Sequence, residues 1–126
     1  MSRKLFLMCL ISALSITSAY AKCDGGEEVT NTAGTTFCKS NVKMNWWSAA
    51  AWCKANGRRL ATMYEICPSW NGNINVVCSE LKGQGNGYIW TATASSREYV
   101  FTLILSTGEV TNYDARDSHN SYAFCR

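Results

Sequence analysis

A small α+β domain tied by three disulfides is the fold that this sequence of 126 residues predicts. Three observations carry it. An export leader opens the chain, six cysteines lie beyond that leader, and a helix-forming stretch precedes a run of β-branched and aromatic segments.

The leader comes first. Arg3 and Lys4 precede an apolar run over residues 5–16, and Ala19-Tyr20-Ala21 supplies a small-x-small cleavage site. The run is short for a membrane span, which takes roughly 20 residues. Cys9 lies inside it and leaves with it. Neither Cys9 nor Cys23 follows a small residue as a lipid-attachment cysteine would, so the expected product is a freely exported protein, periplasmic or extracellular. Residues 1–21 are read as the signal peptide and residues 22–126 as one domain. The formal charge of +3 falls to near neutral once Arg3 and Lys4 are gone. A nucleic-acid or anionic-membrane surface would need a basic stripe that the chain lacks.

The mature cysteines are Cys23, Cys38, Cys53, Cys67, Cys78 and Cys125. An even number in a small exported chain reads as a disulfide framework. Zinc would need closer ligand spacing, and the single histidine, His119, adds little.

Residues 23–38 carry glycines and threonines between two cysteines and predict an N-terminal β-hairpin closed by Cys23–Cys38. "NWWSAAAWCKANGRRLA", residues 45–61, follows as a helix: Asn45 is an N-cap, the alanines favour helix, and Gly57 stops it. At helical spacing Trp46, Ala49, Ala50 and Cys53 share the core-facing stripe, with Trp47 and Trp52 on opposite flanks. "TMYE", residues 62–65, has capping-box spacing and predicts a second, shorter helix. Pro68 ends it, and residues 67–78 become a loop pinned at both ends by cysteine. Beyond the irregular "GQGNG" come the strand segments "YIWTAT", "YVFTLIL", "EVTNY" and "SYAFCR". They predict a small, meandering antiparallel sheet.

Trp46, Ala49, Cys53, Gly57, Leu60 and Ala61 form W-x-x-A-x-x-x-C-x-x-x-G-x-x-L-A. This resembles the first helix and following turn of the C-type lectin-like fold. "YIWTAT", "FTLILSTGEV" and the terminal "YAFCR" resemble the closing half of its bacterial members, the Lcl-type and formylglycine-generating-enzyme-like domains. The likeness covers most of residues 36–126. It implies a C-type lectin-like domain with its termini close together and a bridge from the first helix to the last strand, Cys53–Cys125. Cys67–Cys78, like Cys23–Cys38, is expected because it closes a local loop.

His119 lies in a polar loop without a nucleophile motif, and nothing maps onto the cysteine pair of the formylglycine-generating enzymes, so no enzyme is expected. Sugar-binding lectins of the resembled fold coordinate calcium through Glu-Pro-Asn or Gln-Pro-Asp with Trp-Asn-Asp. The chain has none of these tripeptides, and no metal or cofactor is expected. What remains is a binding face. Trp70, Asn71 and Asn73 in one loop, and Asn112, Tyr113, Asp114, Arg116, Asp117, His119 and Asn120 around another, are the residue types of adaptable interfaces. The expected function is a secreted, non-catalytic recognition module for an extracellular protein or glycan. The alternative is a structural subunit of a surface appendage.

Overall fold

The computed structural model describes residues 23–116 and 120–126. The expected leader, Cys9 included, lies outside them. Strands β1 (Gly26–Thr30) and β2 (Thr36–Met44) form the N-terminal hairpin. Helices α1 (Trp46–Ala55) and α2 (Met63–Ile66) follow, and then strands β3 (Tyr88–Ala94), β4 (Tyr99–Ile104), β5 (Val110–Asp114) and β6 (Ser121–Cys125). The class is α+β. Bridges join Cys23 to Cys38, Cys53 to Cys125 and Cys67 to Cys78.

Both helices start and stop where their side chains dictate. The Asn45 side chain accepts from the Ser48 amide at 2.8 Å. At the far end Gly57, with φ of 68°, takes the left-handed turn that glycine adopts without strain. There the Gly57 amide donates to the Lys54 carbonyl and the Arg58 amide to the Cys53 carbonyl, a Schellman arrangement that satisfies two orphan carbonyls. In α2 the capping box is complete. The Glu65 amide donates to Thr62 Oγ1, and the Thr62 amide donates to Glu65 Oε1.

The sheet departs from the meander that the sequence predicts. Its strand order is β1-β2-β6-β3-β4-β5, and it is mixed. β6 enters the middle, antiparallel to β2 and parallel to β3. The outer edge of β5, where a meander would place the last strand, is already occupied. Asn75 donates to the Val110 carbonyl, Val110 donates to the Val76 carbonyl, and Val77 bridges Glu109. β6 instead lies beside Leu60, where the Ala61 amide donates to the Phe124 carbonyl. Cys38 pairs with Cys125 in register and is bonded to Cys23, so the two ends of the domain meet.

Alternation along the strands divides the core between two faces. Phe37, Ile89, Phe101 and Phe124 join Met63, Ile66 and Leu81 beneath α2 and the long loop. Their neighbours Cys38, Trp90, Val100 and Ala123 join Ala49 and Cys53 beneath α1. Each fully buried large side chain contributes about 1.5–3 kcal/mol. Buried polar groups are turned to use. Asn31 accepts from the Thr35 amide and donates to the Ile66 carbonyl, fastening the hairpin to α2. Where β2 and β6 shift register between Lys39 and Lys43, Ser40 Oγ accepts from the Ala123 amide at 2.9 Å, so that amide keeps a partner.

Two stability predictions come from this framework. In the chain-entropy model the Cys53–Cys125 bridge, spanning 72 residues, contributes about 4 kcal/mol, and the 15-residue Cys23–Cys38 bridge about 3 kcal/mol. Replacing each pair by alanines and measuring urea midpoints will therefore rank the former as the larger loss. The second concerns acid. The Arg59 guanidinium, hydrogen-bonded to Glu65 at 2.6 Å by two nitrogens, holds the Glu65 carboxyl down at about 2. With the folded value below the ordinary 4.5, this stabilisation is present in full above that value and is lost as pH falls toward 2. Glu65→Gln will flatten the decline in urea midpoint between pH 5 and pH 2, which denaturation series at stepped pH can read.

Candidate functional site

The start of α1 builds one wall of a groove. Trp46 Nε1 donates to the Thr91 carbonyl at 3.0 Å, and Trp90 Nε1 donates to the Met44 carbonyl at 2.8 Å. These two indole bonds run in opposite directions and fasten the helix entry to β3. Trp46 is half-buried by this attachment, and its ring meets that of Trp47 edge-on, centroids 4.9 Å apart. Trp47 is consequently pushed outward and is 64% exposed.

The opposite wall is the turn between β3 and β4. The Ser95 and Ser96 amides both donate to the Tyr99 carbonyl, and the Ala115 amide donates to the Glu98 carbonyl. Asn112 Nδ2 donates to Ser95 Oγ at 2.9 Å. These bonds fix the turn against the end of β5 and present Arg97, Glu98 and the 44% exposed Tyr99 at the rim. Ala92, Ala94 and Ala115 line the groove between the walls, leaving a volume of about 340 Å³.

Charge is concentrated on the side of the β3–β4 turn. Arg116 donates to Glu98 Oε2 at 2.7 Å and to Asp114 Oδ2 at 3.0 Å. The Arg116 hydrogen bonds hold the Asp114 carboxyl below its usual range, and Asp114 in turn raises the guanidinium. Arg97 makes no ion pair with another described residue.

Of the ten residues that the sequence singles out for binding, Arg116 lines this groove, with Asp114 behind it. Asn112 braces the turn. Tyr113 packs edge-on against Tyr88 at 5.6 Å, and a hydrogen bond with Tyr88, followed by burial, raises its phenol. Asn120 is exposed beside β6. Asp117 and His119 lie outside the described residues.

The first loop is a correction. Trp70 does not face outward: it is 8% exposed, edge-on to Phe101 at 4.6 Å, and its Nε1 donates to the Asn73 carbonyl. Asn71 and Asn73 are exposed, but the Asn71 side chain accepts from the Asn73 amide and shapes the turn. The physical reason is anchorage. A loop of asparagines and glycine needs an apolar plug, and the sheet face under residues 67–78 provides the place for one. This loop belongs to the core on the face opposite Trp47.

Trp47 stands on a flank that the sequence identifies, whereas Arg97, Glu98 and Tyr99 have only a weak signal, a charged pair at the head of a strand. Trp52, the other flank, lies half-buried over Gly25 and Gly26. A Cβ at Gly26 would collide with the Lys39 carbonyl, so that close approach requires glycine. Beside the lower loop, Cys67, Cys78 and Glu80 bring three metal-ligating atoms within 4.8 Å. Both sulfurs are engaged in the Cys67–Cys78 bridge, and the Glu80 carboxylate accepts from the Ser69 and Ser79 hydroxyls. Among the described residues no helix is long and apolar enough to cross a membrane.

Comparison of the chain with family models, with curated proteins and with solved structures finds no match.

The two exposed-looking tryptophans should separate cleanly. Trp70→Ala will destabilise the domain by about 3–5 kcal/mol, whereas Trp47→Ala will stay within about 0.5 kcal/mol of the parent. Urea unfolding followed by far-UV circular dichroism measures both.

Proposed function

We propose that this protein is an exported recognition module of the C-type lectin-like kind, which holds an extracellular protein or glycan and performs no chemistry on it. The observation that carries this reading is the groove between Trp47 and Tyr99. It combines two exposed aromatic rings with charged groups at one rim, on a scaffold held by three disulfides. Aromatic side chains lose little conformational entropy on contact and give large area, which is why they dominate binding faces. Preorganisation adds to this, because the rim is already hydrogen-bonded in place and little ordering remains to oppose binding.

The lectin-like part of the proposal draws support from one topological feature. The helix carrying the W-x-x-A-x-x-x-C pattern is bonded through Cys53 to the last strand, and the N-terminal hairpin lies beside that strand. Of the ten residues first singled out, Asn112, Asp114 and Arg116 stay in this reading, and four others join them. Trp47, Arg97, Glu98, Tyr99 and Arg116 form the face, and Asn112 and Asp114 support it.

A panel of immobilised glycans and extracellular proteins tests the proposal. A true ligand will lose at least about 1 kcal/mol of affinity in Trp47→Ala and in Tyr99→Ala, while both variants keep the parent's urea midpoint. A ligand whose affinity is unmoved by either substitution would place the binding face elsewhere.

A further inference from the structure

We propose that the groove takes an acidic peptide segment, seating one apolar side chain between Trp47 and Tyr99 while a neighbouring carboxylate pairs with Arg97. This rests on the groove being the recognition face and goes further by naming what it selects.

The distribution of polar groups argues for it. A saccharide brings hydroxyls on every side, and each one buried without a partner costs free energy. Here the alanine methyls of Ala92, Ala94 and Ala115 offer no partner, Ser96 alone adds a hydroxyl among the described residues, and the charged lining groups among them, Arg97, Glu98 and Arg116, sit together on the side of the β3–β4 turn. Two of those, Glu98 and Arg116, are already bonded to each other. An apolar side chain has no such demand and fits a space of about 340 Å³, the low end of small-ligand sites. Trp47 and Tyr99 both line that space.

Charge complementarity sets the flanking chemistry. Arg116 is shared between Glu98 and Asp114, so a ligand carboxylate competing for it would meet two acids. Arg97 lines the same groove without an ion pair to any other described residue. Its guanidinium is the cation open to a partner, and it prefers a planar carboxylate, which two parallel N–H bonds can grip.

The test pans the intact, oxidised protein against a random heptapeptide phage library, alongside neutral and uronate-bearing oligosaccharides. Selected peptides should carry a large apolar residue within two positions of Asp or Glu. The dissociation constant of a synthetic winner should rise roughly tenfold in Trp47→Ala and in Arg97→Gln, and the salt dependence of its binding should flatten in Arg97→Gln. All these side chains are exposed, and an unchanged near-UV spectrum verifies that each variant is folded. Absence of enrichment, winners without acidic residues, or an Arg97→Gln affinity equal to the parent's would each overturn the proposal. Saccharide binding that depends on Trp47 would overturn it too, yet leave the recognition reading standing. Binding of every probe unmoved by Trp47→Ala and Tyr99→Ala would remove both.

Discussion

Everything in this fold is hung on the last strand. β6 is central in the sheet, with β2 on one side and β3 on the other, yet it comes after all the other strands in chain order. Three constraints bring it there. Cys125 is bonded to Cys53 of α1, it stands opposite Cys38 in register, and the Phe124 carbonyl accepts from the Ala61 amide. Such non-local pairing is costly in chain entropy until its contacts form. A covalent tie between helix and strand removes much of that cost from the unfolded side of the balance. The same tie positions α1 over the sheet face on which the groove opens.

The groove therefore inherits its rigidity from the core. Two indoles exchange hydrogen bonds between the helix entry and the strands: Trp46 with Thr91, Trp90 with Met44. Neither donor could be buried without its partner at acceptable cost, so the helix entry has one favourable position relative to β3. Trp47 is the next residue along. With Trp46 turned inward, helical geometry turns Trp47 away from the core, and the edge-on contact of the two rings holds it at the mouth of the groove. Its 64% exposure is a consequence of where its neighbour had to go.

Much of the local structure is legible because short-range chemistry decides it. Asn45, Gly57 and the Thr62/Glu65 box each act within one helical turn, so the sequence reading of both helices agrees with the observed spans Trp46–Ala55 and Met63–Ile66. Strand segments are legible for the same reason, since their β-branched and aromatic runs are bounded by turn formers. Strand order is another matter. Nothing within "SYAFCR" states that the edge of β5 will be taken by residues 75–77, yet that occupation is what excludes an antiparallel meander. The candidate site divides likewise. Trp47 could be placed on a helix flank from spacing alone, but Arg97, Glu98 and Tyr99 reach it only through the β3–β4 pairing, a contact between segments that the sequence shows separately.

At Trp70 tertiary anchorage overrides the local signal. A tryptophan among asparagines and glycine invites an outward reading, because its neighbours are polar. Energetically the opposite is favoured. A loop between two buried cysteines, 1% exposed each, is already held against the sheet, and the sole large aromatic within it gains about 2–3 kcal/mol by covering Phe101. The polar neighbours then serve the indole: the Asn73 carbonyl accepts its N–H, and Asn71 closes the turn that brings that carbonyl round. Trp47 has no such option, since Trp46 and Cys53 fix which face of α1 turns inward. Among the tryptophans it is the one that the fold leaves at the surface, and it stands where a groove of small residues can use it, beside the Arg97 guanidinium that has no ion pair among the described residues.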